Sequence, residues 1–478
     1  MSKEKLSVVE KVGYSLGDFA ANLVFQTLVT YLAYFYTDIY GLEAKHASVL
    51  ILAVGLIAAF GFNPLVGALA DRTRSRWGKF RPWILFTAVP LGVIALLAFS
   101  TPDFSYKGKV IYAVVTYSLL LLLYAANNLP YSALSGVITG DMKERNSLSS
   151  YRFVAVMFAQ FFVQVFMLAI IEAVGHGNKS AGIEKVMTWL AIIGTILLLI
   201  TFVTTKERVV PKPEQESTLK ADLADLLRNR PWIIMLVLTT LVFITLAMKG
   251  GSYVYYFRNY VDKQRLTEFI NPILHFLSGI GLNFFGQDPV SAGFGLFNAG
   301  GIIFMIVGIM FSKALADKYG KRDVFGVALF ISTLFILIFY FFPPDAVRLI
   351  FISQILHGFF YGLTIPVLWA MIADVADYSE WKNNRRATAI IFSAMLVGLK
   401  VGLSIGSALL TGILGLYQYV PNADAQAPET VQGIKMLVSV YPSIPFLLGA
   451  ALLFLYVINK KMEVQIESDL KQKRQAVA

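Results

Sequence analysis

The chain has 478 residues, of which 57% are hydrophobic and only 15% charged, with a formal net charge of +11. A soluble domain of this size carries about a quarter charged residues, so this chain lacks the charge to cover a water-facing surface. That composition excludes a soluble globular enzyme, and the absence of cysteine excludes disulfides and Cys-ligated metals.

A bilayer core needs about 20 apolar residues per helix. Twelve stretches qualify: 12–37, 46–70, 82–100, 109–133, 151–174, 185–204, 231–257, 290–312, 323–342, 346–373, 387–418 and 436–459. Runs this long and continuous predict helices rather than barrel strands, because in lipid each backbone group must be satisfied within its own segment. The expected fold is an all-α membrane protein of twelve spans in two pseudo-symmetric six-helix bundles. Residues 1–11 are polar, and the first span holds Asp18 and is too long for a signal h-region, so no cleaved leader is expected. With both termini placed inside, the cytoplasmic segments hold roughly three times as many Lys and Arg as the opposite side. That asymmetry explains the basic balance without a nucleic-acid partner. It predicts a multi-pass protein of the cell inner (cytoplasmic) membrane with both termini cytoplasmic.

The two halves repeat. Ala-Leu-Ala-Asp occurs at 68–71 and again at 314–317, each time before a basic loop. Pro130, Asp141 and Glu144 recur as Pro366, Asp377 and Glu380, each 236 residues later. The first set falls in the fourth span and its following loop, the second in the tenth span and its following loop. Parallel halves of six spans are what two-bundle transporters show. The predicted organisation is a bundle over 1–204, a cytoplasmic linker over 205–230, and a second bundle over 231–459 with a periplasmic insertion at 258–289. A charged cytoplasmic tail, 460–478, follows. Ile270 to Phe285 is too short and too glycine-interrupted for a span and reads as an interfacial helix; the tail reads as solvated helix or coil.

Ionisable residues inside spans are costly and are candidates for function. Asp18 shares a helical face with Asn22 and Gln26. Its carboxylate can accept hydroxyls of a ligand, carry a proton, or pair with Lys400. The fourth span carries Tyr124, Asn127 and Asn128, where an amide can donate to and accept from hydroxyls or glue helices. Gln160 and Gln164 face a cavity or another helix. Lys249, beside Gly250 and Gly251, meets an anionic group such as a ligand carboxylate or snorkels outward. Among the tenth-span residues Gln354, His357, Tyr361 and Trp369, only Trp369 is near enough to Pro366 to serve as a stacking platform in a pocket. The four histidines are scattered and give no metal spacing, so no metal or cofactor is expected.

Asp71-Arg-Thr-Arg-Ser-Arg-Trp-Gly-Lys-Phe-Arg-Pro-Trp83 resembles the signature loop of the glycoside–pentoside–hexuronide:cation symporters. Gly17-Asp18-Phe19-Ala20, Leu129-Pro130-Tyr131, Ala373-Asp374-Val375-Ala376-Asp377-Tyr378-Ser379-Glu380, Lys400 and Tyr419-Val420-Pro421-Asn422 extend the likeness, in order, along nearly the whole chain. The resemblance implies the major facilitator fold, a sugar near the membrane midplane between two bundles, and transport by alternating access. It also implies substrate-binding roles for Asp18 and Arg152, with Arg152 open to a second role as an interface anchor, and a place near the cation site for Lys400; Asn22, Tyr124, Asn128, Lys400 and Trp369 join them as substrate-binding candidates by their positions in the spans. Asn128 stands where the family pattern has a second sugar-binding aspartate.

Asp71, Arg72, Arg76, Asp141, Asp317 and Asp377 are expected to form cytoplasmic charge networks that gate the cycle; ordinary loop charge is the alternative. For the coupling cation, Asp18, Asn63 and Lys400 are the candidates. The sodium-binding members carry two aspartates on the second span, and Ala59 and Asn63 match those positions, with Ala125 in place of a threonine partner. Sodium wants several oxygen ligands, usually with a carboxylate. The resemblance therefore favours H+ over Na+, with sodium bound elsewhere or uncoupled transport as alternatives. No Gly-x-x-x-x-Gly-Lys-[Ser/Thr] motif supports ATP drive. Asp374 and Asp377 are the nearest approach to an enzymatic cluster, and the repeat explains them better. A non-transporting sensor is the remaining alternative. The expected partners are a small sugar and the bilayer, with the chain acting as a monomer.

Overall fold

In the computed structural model the described residues are 5–139, 141–209, 229–281, 288–383, 388–423 and 425–477; they form helices and loops with no strand among them. In chain order the helices are α1 Val8–Tyr34, α2 Ala44–Arg72, α3 Arg81–Ala98, α4 Tyr106–Ile138, α5 Lys143–Gly175 and α6 Lys179–Thr204. After the linker come α7 Arg230–Asn259, α8 Lys263–Gly279, α9 Pro289–Tyr319, α10 Lys321–Phe341, α11 Val347–Asn383, α12 Thr388–Leu416, α13 Pro428–Leu455 and α14 Lys460–Val477.

The sequence marks many of these starts. Ser7, Ser105, Asn178 and Asn229 each accept a backbone N–H from the first turn of the helix they precede, as short polar N-caps do. Pro82, Pro231 and Pro428 sit in first turns, where the missing N–H costs nothing. His176 and Gly177 take positive φ and end α5. Pro64 lies two residues after a π turn, Ala58–Phe62, inside α2. A proline here lacks an N–H for the preceding turn and pushes its carbonyl away, and the wider turn absorbs the misfit.

Eleven of the described helices are long and apolar enough to cross a bilayer. At 27 residues α1 has the length for a twelfth, about 40 Å. Glu10, Lys11, Asp18, Asn22 and Gln26 lower its hydropathy. Large apolar side chains such as Met310, Phe341, Leu416 and Phe454 point out of the protein. In water such a surface would be a liability; in hydrocarbon it is the expected belt.

The chain divides into two compact units. One comprises Met1–Glu214, Ile270–Gly295 and Gln418–Asp424; the other comprises Gln215–Phe269, Leu296–Tyr417 and Ala425–Ala478. Within the first unit, α1 packs on α5 and α6, and α3 packs on α4 and α6. Within the second, α7 packs on α12 and α13, and α10 packs on α11 and α13. Each pairing in one unit thus has its counterpart in the other, so the repeat seen in short motifs extends to packing.

Small residues set the closest approaches. Along α12, a Cβ on Gly398 would meet Leu236 at 2.8 Å, one on Gly402 would lie 2.5 Å from the Thr240 carbonyl oxygen, and one on Gly406 would collide with the Ile244 carbonyl. A glycine every fourth residue seats α12 on the backbone of α7. Gly358 and Gly362 of α11 meet the carbonyls of Gly301 and Met305 on α9 in the same way.

Four local expectations need adjustment. The helix α4 runs from 106 to 138 rather than 109 to 133, and α11 runs to Asn383 rather than 373. Asp374, Asp377 and Glu380 are therefore helical, not loop residues; charged residues end an apolar run without ending the helix. In the insertion the helix begins at Lys263 rather than Ile270, with a polar face that an apolarity reading overlooks. The tail is not solvated along its length: Ile466 and Leu470 are buried in the second unit's core, and Trp381 donates to the Asp469 carboxylate at 2.8 Å. Of the linker, 205–209 and 229–230 are described; 210–228 lies outside the described residues, as do 282–287 of the insertion and 478 of the tail.

Candidate functional site

The first unit gathers its intramembrane polar groups around Asp18. The carboxylate is 6% exposed, and its Oδ2 accepts from Arg152 Nε at 2.7 Å. Arg152 reaches it from α5 and lies over two rings, Tyr14 at 5.6 Å and Tyr131 at 5.4 Å from their centroids. Those tyrosines stack at 4.7 Å and 17°. Each also donates to the other's backbone: Tyr14 Oη to the Tyr131 carbonyl at 3.0 Å, Tyr131 Oη to the Tyr14 carbonyl at 2.7 Å. The reciprocal bonds fasten α1 to α4 and build an aromatic floor for the guanidinium. Gly17 makes room for it, because a Cβ there would lie 2.5 Å from the Tyr131 ring.

Among the described residues, Asp18 Oδ1 and the terminal nitrogens of Arg152 have no hydrogen-bond partner within the protein. Asn128, half-buried on α4, makes no hydrogen bond among them either. Tyr124 lies one turn before Asn128 and within electrostatic reach of Asp18. The result is an acceptor, a planar donor, an amide that does both, and a phenol. That set suits a polyhydroxylated ligand, whose hydroxyls donate and accept.

Other predicted residues serve differently. The Asn22 amide donates to the Asp18 carbonyl at 2.9 Å, so it folds back on its own helix. Gln164 donates to Gln26 Oε1 at 3.0 Å, which makes that pair interhelical glue between α1 and α5. Asn127 donates to Thr87 Oγ1 at 2.8 Å and joins α4 to α3. The carboxylate of Asp18 pairs with Arg152; Lys400, to which the sequence offered it, belongs to the other unit. In that unit Trp369 is half-buried against the core, and Lys400 sits on α12 between Gly398 and Gly402.

The positions matching the family's cation site carry no charged side chain. Ala59 is fully buried in the π turn of α2, and Ala125 is buried in a cluster with Val66 and Ala126. Asn63 opens the α-helical stretch after that turn. The residues present provide no carboxylate there, so they do not fit a sodium ion held as in the sodium-binding members.

The signature loop has a local role that sequence reasoning missed. Glu207, just past α6, accepts from three successive backbone N–H groups: Lys79 at 2.8 Å, Phe80 at 2.7 Å and Arg81 at 2.9 Å. These are the orphan donors at the start of α3. Gly78 has φ +107° and a Cβ there would strike the Glu207 carboxylate. Arg81 then donates to the Phe202 carbonyl at 2.7 Å. Glu10 binds Arg208 through both oxygens, at 2.7 and 2.9 Å, and Lys11 pairs with Glu144 at 2.9 Å.

The predicted gating residues take assorted places. Asp71 pairs with Lys79 of its own loop at 2.8 Å. Arg72 is exposed, and Arg76 lies over the neighbouring Trp77 ring. Asp141 is the N-cap of α5. Lys460 bonds the backbone carbonyl of Asp317 at 2.7 Å rather than its carboxylate. Asp377 lies within α11, one turn after Asp374. Asp374 binds Lys321 at 2.5 Å.

A family model described as MFS/sugar transport protein matches residues 13–288 and 275–460. The inner membrane symporter YicJ of Escherichia coli is 35% identical over 94% of this chain and 92% of its own. The putative glycoside/cation symporter YagG of the same organism is 34% identical over 98% and 95%. The isoprimeverose transporter of Lactiplantibacillus pentosus is 30% identical over 97% and 91%. Among solved structures, a bacterial homologue of the human drug peptide transporters PepT1 and PepT2 superposes with a TM-score of 0.64 at 13% identity, covering 96% of this chain and 99% of that one. That likeness concerns the fold alone. The matched family, the relatives and the all-α membrane fold agree: the chain belongs to the MFS/sugar transport proteins, in the glycoside–pentoside–hexuronide:cation symporter branch of the major facilitator superfamily, and is a membrane transporter, not an enzyme.

Proposed function

We propose that the protein imports a glycoside or related sugar by alternating access, driven by protons rather than sodium. The observation that carries this reading is the Asp18–Arg152 pair on its tyrosine floor, with Asp18 Oδ1, the Arg152 terminal nitrogens and Asn128 left to meet sugar hydroxyls. A carboxylate paired in one state and released in another can couple a proton to substrate. Asp18 is the coupling residue in this reading, with Asn63 and Lys400 in supporting places, and Tyr124, Lys400 and Trp369 complete the substrate contacts. Asp71, Arg72, Arg76, Asp141, Asp317 and Asp377 belong to the cytoplasmic gates. The protein works as a monomer in the inner membrane with both termini in the cytoplasm, as its basic loops favour.

The burial of Ala59 and Ala125 supports a second reading, an uncoupled facilitator. Proteoliposomes containing the full chain decide between them. A panel of glycosides is offered with an inward proton gradient, an inward sodium gradient, or neither. Accumulation above the external concentration is expected with the proton gradient alone. Accumulation that needs sodium would overturn proton coupling, and equilibration unaffected by either gradient would establish the facilitator.

A further inference from the structure

The second unit holds an intramembrane lysine that the reading so far does not use. Lys249 lies on α7 and is 7% exposed. It does not snorkel. Among the described residues its ammonium makes no hydrogen bond or ion pair, and it sits 5.4 Å from the centroid of the Tyr253 ring, one turn along the same helix. Ten residues separate it from the end of α7 at Asn259, about 15 Å of helix.

Two polar side chains of α11 lie beside this pair. Tyr253 Oη is 3.5 Å from Gln354 Oε1. One turn further, His357 is 3% exposed and within electrostatic reach of Lys249. Ten residues also separate His357 from the start of α11 at Val347, so it lies at a comparable depth from its own helix end. Its Nδ1 is 3.0 Å from the Ser332 carbonyl. A carbonyl only accepts, so Nδ1 carries the proton, and in the neutral ring Nε2 is an acceptor. No described residue donates to Nε2. The imidazole lies parallel to the Tyr361 ring, at 5.8 Å and 5°, which fixes its plane. Gly301 keeps space for Gln354, because a Cβ there would lie 2.6 Å from Nε2 of that amide.

A lysine at the middle of a helix in a membrane costs about 2.5–3.5 kcal/mol on insertion scales. Among the described residues no counter-charge offsets it. We infer that Lys249, Gln354 and His357 form a subsite that takes the carboxylate and an adjacent hydroxyl of a uronic-acid ring, the ammonium binding the acid and His357 Nε2 accepting the hydroxyl. The inference rests on the sugar-transport reading and narrows it to acidic glycosides. A single ammonium matches a single negative charge. A phosphate dianion would set its own lone pairs against that of Nε2, whereas a uronic acid brings a hydroxyl beside its carboxylate.

The test measures binding to the full chain in nanodiscs with three probes: methyl β-D-glucuronide, its methyl ester, and methyl β-D-glucoside. The wild type is expected to bind the acid at least tenfold more tightly than either neutral probe. Lys249→Gln is expected to bring the three within about threefold, through lost affinity for the acid. A wild type that binds the neutral probes as well as the acid overturns the subsite, and this comparison needs no variant. A Lys249→Gln protein that keeps the wild-type preference also overturns it. If a neutral glycoside is bound and carried while the acid is not preferred, the subsite fails and the sugar-transport reading stands. If no glycoside of the uptake panel is bound or carried, both fall.

Discussion

Replacing Asp18 with asparagine keeps the side chain's shape and one acceptor oxygen but removes the charge that holds Arg152. The pair is close, 2.7 Å, with side-chain exposures of 9% for Asp18 and 25% for Arg152. Breaking a fully buried pair from one side costs about 3–5 kcal/mol. Arg152 retains both tyrosine rings and some contact with water, so a loss of roughly 1–2 kcal/mol of stability is expected, between the buried and exposed cases. The effect on ligand is separate. A hydroxyl donating to a carboxylate contributes about 1.5–3 kcal/mol, so its loss weakens binding by roughly 10- to 150-fold. The assay is calorimetric titration of the purified protein in nanodiscs with the glycoside that the wild type binds best, beside a melting curve for each protein. A dissociation constant within threefold of wild type, together with a lowered melting temperature, would refute the reasoning. It would make the pair an internal staple between α1 and α5 with no part in recognition.

Gly17→Ala puts a methyl group 2.5 Å from the Tyr131 ring. Overpacking of this kind costs about 1–3 kcal/mol, and a thermal melt is expected to show it together with weaker ligand binding, because the floor under Arg152 shifts. Glu207→Gln removes the charge that three N–H groups share at the start of α3. Charge-assisted bonds of this type contribute about 1.5–3 kcal/mol, so hydrogen–deuterium exchange across 77–83 is expected to quicken while the amides of α4 keep their protection.

The spans, the repeat and the Asp18 neighbourhood were legible in sequence because each leaves a local mark: apolar length, a recurring string, a charge where charge is costly. Arg152 was legible only through resemblance, since it stands near the start of its span and reads equally as an interface anchor. The tyrosine floor left no mark. Tyr14 and Tyr131 are 117 positions apart and two among 23 tyrosines, and only packing brings them together. Glu207 was hidden for a related reason: a glutamate in a charged linker looks solvated until a helix start is placed against it. The helix ends were misjudged where charge was taken for loop, as at Asp374 and Asp377, because hydropathy reports the lipid boundary and not the end of the hydrogen-bond ladder.

The glycines of α12 have a mechanical consequence. With Gly402 and Gly406 against the carbonyls of Thr240 and Ile244, the two helices meet backbone to backbone and leave no side-chain layer to shear. Sliding one past the other would drive carbonyl oxygens into Cα atoms, so α7 and α12 move as a single beam. Lys249 rides on one helix and Lys400 on the other. Labels placed across this beam are expected to hold one distance whether or not ligand is bound, a ruler against which the travel of other helices can be read.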